Sequence, residues 1–312
     1  MSDTVLILHH YPASPVSEKV RAALGLKKLA WQSVEQNRLP DRPELFDLTG
    51  GYRRIPVLQM GADIYCDTLC ILGALERHHP EPTFFPGNSA GLAYALGRWT
   101  DGPLFELAVR LAFAPAVDRL PAELVSDRAR LYLGPGGDFH KEAADIPHIL
   151  AQMRHQLSWL EEKLAAGGKY MLGEQPGLAD IYVWYIVWFV RGRYGEADKL
   201  FGEFPSLTAW AERMAALGHG SQSDMTIAES YAIAKASTPR TPEAADSSDP
   251  QGLKPGTEVA IVQVTDSGDP TVRGVVHAVR RDEIAIRRET EGAGTVCLHF
   301  PRVGYRITPV QG

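Results

Sequence analysis

The spacing of apolar residues changes twice along the chain, and a fold must satisfy all three regimes at once. Up to about residue 84, short apolar runs alternate with helical spacings; from 89 to 236 only helical spacing persists; beyond 251 apolar and polar positions alternate with period two. The pattern predicts an α/β domain over residues 1–84, an all-α domain over 89–236 and a small all-β domain over 252–312. Residues 237–251, STPRTPEAADSSDPQ, hold almost nothing to bury and read as a linker.

Within the first stretch, the apolar run from Val5 to Leu8 reads as a buried strand running into His9, His10, Tyr11 and Pro12. Val20, Ala23, Leu24 and Leu26 then mark one face of a helix that begins near Ser17. A second strand is expected around Trp31 to Glu35, then a loop with at most a short helix over 37–52. A third strand follows at Ile55, Val57 and Leu58, a turn at Gly61 to Asp63, a fourth strand at Ile64 and Tyr65, and a helix carrying Leu69, Leu72 and Leu75. In the tail, Val259, Ile261 and Val264, then Val272, Val275 and Val279, then Ile284 and Ile286, then Val296, Leu298 and Phe300 predict about five strands of SH3-like size, with a hairpin at Arg281-Asp282.

Composition narrows the partners. Hydrophobic residues at 45% and charged residues at 22% are what a soluble globular chain uses. A net charge of -6 argues against a nucleic-acid surface, which needs clustered Lys and Arg. The most apolar stretch, Ile181 to Val190, is half of the roughly 20 residues that span a bilayer, so no membrane partner is expected. Three cysteines, Cys66, Cys70 and Cys297, form no Cys-x-x-Cys pair and suit a reducing compartment. With no basic segment and apolar run at Met1 to Thr4, the expected location is the cytoplasm. His9-His10 and His78-His79 have no acid or Cys at ligand spacing, and no metal is expected.

Three segments carry chemistry. The first is Tyr11-Pro-Ala-Ser14-Pro-Val-Ser17-Glu-Lys-Val-Arg21, which puts hydroxyls at a helix start. A hydroxyl donor there, with the positive end of the helix dipole, stabilises an anion such as a thiolate; the plainer role is an N-cap. The second is Arg53-Arg54-Ile55-Pro56-Val57-Leu58, where the plainer reading is a solvated pair of charges on a loop. The third is Asp67-Thr68 ahead of Leu69, in isolation simply a good helix N-terminus.

In this order and at this spacing the three resemble the glutathione-binding segments of the cytosolic glutathione S-transferases, in their serine-type, bacterial-like form. The resemblance implies a thioredoxin-like N-terminal domain followed by an all-α domain, and a homodimer. It implies that Ser14 donates to the glutathione sulfur, that Pro56 follows a cis bond and that Ile55 pairs with the cysteinyl amide through its main chain. It gives Arg54, helped by Arg53, the glycine carboxylate; Thr68 the γ-glutamyl carboxylate; and Asp67 the α-amino group. It places a hydrophobic electrophile among Tyr11, Val16, Trp99, Leu104, Phe105 and Ala108. With Ser at position 14, thiol-disulfide exchange is not the expected chemistry.

Three departures qualify the pattern: Asp-Thr stands where the family most often has Glu-Ser or Asp-Ser, the arginine is doubled at Arg53-Arg54, and the β tail is foreign to ordinary transferases. A fourth marker, Gly173-Glu-Gln-Pro-Gly177-Leu-Ala-Asp180-Ile, resembles the family's capping motif for a buried helix, with Gly177 in place of the hydroxyl. Behind it, Tyr182, Trp184, Tyr185, Trp188 and Phe189 read as core. The alternative to an enzyme is a non-catalytic scaffold of this fold that uses the tail for a protein partner. From Pro250 on, the tail carries eight Lys and Arg against seven Asp and Glu, too even a balance for nucleic acid.

Overall fold

The expected alternation of strands and helices begins at β1 (Ile7–His10), continues through α1 (Pro15–Leu26), β2 (Ala30–Glu35), α2 (Pro43–Thr49), β3 (Val57–Met60) and β4 (Asp63–Cys66), and ends at α3 (Thr68–His78). The computed structural model describes residues 4–240, 246–265 and 267–310. Residues 241–245 of the expected linker, and 1–3 of the segment read as carrying no secretory signal, lie outside these. Two compact units emerge: Met1–Val20, Leu29–His78 and Ser221–Gly312 form one, Arg21–Lys28 and His79–Gly220 the other.

The second unit holds α4 (Ala90–Trp99), α5 (Phe105–Phe113), α6 (Ala122–Leu133), α7 (Phe139–Ala144), α8 (Ile146–Ala165), α9 (Leu178–Arg193), α10 (Ala197–Phe201) and α11 (Pro205–Ala216). Helix α9 is apolar all round and buried from Leu178 to Val187, as a central helix must be. Its start is held by Asp180, whose Oδ2 accepts from the Gly177 amide (3.0 Å) and whose Oδ1 accepts from the Met171 amide and Trp210 Nε1 (both 2.8 Å). The missing hydroxyl at 177 has a steric reason: a Cβ there would lie 2.8 Å from the Phe84 carbonyl oxygen.

In the first unit β1 pairs in parallel with β2, while β3 runs antiparallel to β1 and β4 antiparallel to β3. One strand, β5 (Ser221–Asp224), falls in the stretch read as purely helical and pairs in parallel with β2. Its sequence, SQSD, is exposed at all four positions and carries no apolar signal. After α12 (Ile227–Lys235), the tail forms β6 (Glu258–Gln263), β7 (Val272–Val279), β8 (Glu283–Thr290), β9 (Gly294–Pro301) and β10 (Tyr305–Pro309). These five antiparallel strands lie in the order β10-β6-β7-β8-β9. Val264 and Val275 face solvent at 60% and 43% exposure; strict alternation from Val272 puts Val276 inward instead, and the register shift between Val276 and Ala278 brings Val279 to the same buried side.

The tail adds its strands to the same sheet, because β9 pairs in parallel with β4 through Asp63↔Cys297, Ile64↔Leu298 and Tyr65↔His299. An edge strand otherwise presents unpaired backbone groups; here β9 covers β4. One apolar core runs through both parts and joins Leu45, Leu48, Val57 and Ile64 to Val259, Ile286, Leu298 and Phe300.

Candidate functional site

Strand register brings the three sequence segments together. His9 lies opposite Val57 and Val57 opposite Cys66, so the loop after β1, the approach to β3 and the exit from β4 share one end of the sheet. Ser14, Ile55-Pro56 and Asp67-Thr68 occupy those three connections, and the Ile55-Pro56 bond is cis. Lys19 Nζ of α1 lies 3.4 Å from Thr68 Oγ1 of α3, which ties the two helix starts.

Ser14 precedes α1, is 3% exposed, and its Oγ accepts from the Ser17 amide at 3.1 Å. It is therefore the helix cap. A hydroxyl that accepts still has its own hydrogen to donate, so the cap and a sulfur contact are compatible on one oxygen, at the positive end of a 12-residue helix. Ser17, the other hydroxyl of this segment, is fully buried. Tyr11 is buried and Val16 half-buried at the same helix start. Trp99, Leu104 and Phe105 belong to the helical unit. There Trp99 Nε1 donates to Gln156 Oε1 (2.7 Å), Phe105 packs on Tyr132 and Tyr185, and Leu104 is fully buried.

Of the charged residues assigned to the tripeptide, Arg54 and Asp67 touch the tail. Arg54 Nη2 lies 2.6 Å from Asp269 Oδ2 and donates to Ser267 Oγ at 2.8 Å, while Nε reaches the same carboxylate oxygen at 3.1 Å. Ser267 and Thr265 donate to that oxygen as well, at 2.6 and 3.1 Å. Burial raises the Asp269 carboxyl, but the Arg54 guanidinium outweighs it and holds the group below the usual carboxylate range. Asp67, at φ 74°, accepts from the Leu69 amide through Oδ1 (2.9 Å) and from the Tyr305 hydroxyl through Oδ2 (3.1 Å). Tyr305 Oη is 3.3 Å from Tyr52 Oη. Burial and the Asp67 charge push both phenols well up, so they stay protonated.

A second polar cluster, unforeseen in the sequence, lies along the β4–β9 pairing. His299 is stacked on Tyr65 with ring centroids 4.3 Å apart; its Nε2 is 3.0 Å from Asp63 Oδ1 and its Nδ1 2.8 Å from Glu283 Oε1. Arg77 of α3 pairs with Glu283 at 2.6 Å, and Cys70 donates to it at 3.3 Å. Burial lowers the His299 pKa, but hydrogen bonds to Asp63, Cys297 and Glu283 prevail and raise it well above its ordinary value. Burial likewise opposes ionisation of Glu283, yet His299 and Arg77 bring it down to about 2. Asp63, Cys297 and His299 also bring ligand atoms within 4.8 Å of one another. With carboxylates on both ring nitrogens, the arrangement is that of an imidazolium between two anions. The imidazoles read earlier for metal spacing have other partners: His9 Nε2 is 3.0 Å from Gln59 and His10 Nε2 is 2.9 Å from Ser33.

An α/β unit with a helix cap, a cis-proline loop and a capped third helix at one sheet end, together with an all-α unit built on a buried central helix, defines the glutathione S-transferase fold. Sequence comparison agrees. Residues 8–83 match the glutathione S-transferase N-terminal domain and residues 114–213 the C-terminal domain, and the chain belongs to that family. A GST-like protein from Pseudomonas syringae, known from its crystal structure, is 34% identical, with 98% of this chain and 100% of that one aligned at a TM-score of 0.81. That coverage takes in the C-terminal strands. The probable glutathione S-transferase parA of Nicotiana tabacum is 22% identical over 214 residues, covering 68% of this chain and 84% of its own. A Tau class glutathione S-transferase from mango, at 17% identity, 68% and 89% coverage and a TM-score of 0.51, shares the fold.

Proposed function

We propose that this chain is a glutathione transferase in which Ser14 stabilises the glutathione thiolate for attack on a hydrophobic electrophile. The reading rests on one observation: register places Ser14, Ile55 and Asp67-Thr68 at the same end of the sheet, beside the start of α1. A free thiol has a pKa of about 8.5 and only its thiolate attacks. A Ser14 hydrogen bond and the α1 dipole both favour the anion. Lowering the thiol pKa by about two units corresponds to about 2.7 kcal/mol, within what these two effects supply. Ile55 would hold the cysteinyl backbone, Thr68 and the α3 amides the γ-glutamyl carboxylate, and Asp67 the α-amino group, with Arg54 beside the glycine end. Tyr11, Val16, Trp99, Leu104 and Phe105 remain the candidates for the electrophile, and a cytoplasmic homodimer is the expected form. Holding two reactants together supplies much of the remaining acceleration.

The test is calorimetry with glutathione, followed by ultraviolet titration of the bound thiol. Ser14→Ala is expected to retain binding, to raise the bound thiol pKa by about one unit, the α1 dipole still supplying the rest, and to slow turnover on aromatic electrophiles about 3- to 10-fold near neutral pH. Binding and titration identical in wild type and variant would remove Ser14 from the chemistry. A non-catalytic scaffold is the second reading, favoured by the engagement of Arg54 and Asp67 with the tail; absence of any glutathione binding would select it.

A further inference from the structure

Arg54 is the cation that the glutathione reading assigns to a ligand carboxylate, yet a carboxylate from the chain itself already lies against it. Asp269 sits in the connection between β6 and β7, with its side chain 6% exposed and Oδ2 fixed by Arg54, Ser267 and Thr265. Such a charge-assisted pair uses the guanidinium in the same way as an incoming carboxylate would. Its second oxygen, Oδ1, is buried and has no hydrogen-bond partner among the described residues. The connection is anchored on both sides, by β6 to β10 and by β7 to β8, and the tail as a whole is held by β9 on β4. Asp269 is thus held against the arginine that precedes the Ile55-Pro56 bond.

We infer that Asp269 determines specificity at the proposed thiol-peptide site: it neutralises Arg54 and selects ligands whose C-terminal end is an uncharged hydrogen-bond donor, such as a carboxamide, over those ending in a free carboxylate. This rests on the glutathione reading of the site. A free carboxylate must displace Asp269 from Arg54 or lie beside it as a like charge. A carboxamide carries no charge and meets no such repulsion.

The test compares glutathione with its C-terminal carboxamide by calorimetry on the full chain. Wild type is expected to bind the carboxamide at least as tightly as the free acid, a comparison that needs no variant. Asp269→Asn keeps an acceptor for Ser267 and Thr265 and frees the guanidinium. It is expected to tighten glutathione about tenfold, or about 1.4 kcal/mol, while changing the carboxamide less than about threefold. Adding Arg54→Gln should erase that gain. Tighter wild-type binding of the free acid, or an equal response of the two ligands to Asp269→Asn, overturns the inference and leaves the thiol-peptide site standing. Failure of both ligands to bind wild type and variant overturns the site reading and this inference with it.

Discussion

Replacing His299 by glutamine tests what holds the tail to the sheet. The imidazolium bridges Asp63 at 3.0 Å and Glu283 at 2.8 Å, and both carboxylates are nearly inaccessible, at 2% and 6%. Each charge-assisted hydrogen bond to a buried partner contributes about 1.5–3 kcal/mol. After the substitution Arg77 still faces Glu283 and Arg240 still reaches Asp63, so neither carboxylate is left bare. The expected loss is about 3–5 kcal/mol near pH 6, a fall in Tm of about 6–20 °C by calorimetry or circular dichroism. The pH dependence follows from the direction of the shift. His299 is raised above its unfolded value of 6.5, so its stabilisation is complete below 6.5 and drains away as pH climbs toward the folded value. Glu283 is depressed from 4.5 to about 2, so its share is complete above 4.5 and is lost as pH falls toward 2. The gap between wild type and His299→Gln should therefore be widest between these limits and narrow above 6.5. A drop in Tm below about 2 °C, or a gap unchanged from about pH 6 to pH 9, would refute an energetic role for the bridge.

Two further expectations concern stability and reactivity. Gly177→Ser, which writes the family's hydroxyl back into the cap of α9, should destabilise by about 1–3 kcal/mol in urea unfolding, because its Cβ meets the Phe84 carbonyl oxygen at 2.8 Å; a gain in stability would show that the cap was limited by the missing hydroxyl. All three thiols are buried, and burial pushes Cys66 and Cys70 well up, so an aromatic disulfide reagent should modify them only on unfolding. Prompt reaction of the native protein would contradict this.

Much of the α/β unit was legible because its strands and helices differ in apolar spacing, and the converging loops were legible through the residue types at their ends. Strand β5 was not, since four exposed polar residues leave no periodic trace. The seam between tail and sheet was hidden for a different reason. Period two in β9 puts Val296, Leu298 and Phe300 on the core face and leaves Cys297 and His299 for solvent. Instead α3 supplies Arg77 and Cys70 to that second face, through Glu283, so both faces of β9 are largely buried. The partners of Arg54 were equally out of reach, because Asp269 lies 215 positions away and no local rule links them. Pairwise recognition at that range depends on the assembled sheet, and local propensity carries no record of it.

The parallel pairing of β4 with β9 also constrains how the chain reaches its native state. Asp63 and His299 lie 236 positions apart, and everything between them is made before they meet. During synthesis the edge of β4 stays open until the tail emerges, since domains assemble as their residues leave the ribosome. Contacts of such separation are reached late, after long loops have closed. A chain cut before β6 would therefore keep an open sheet edge suited to pairing with another copy, and the β tail acts as the fold's own guard against aggregation.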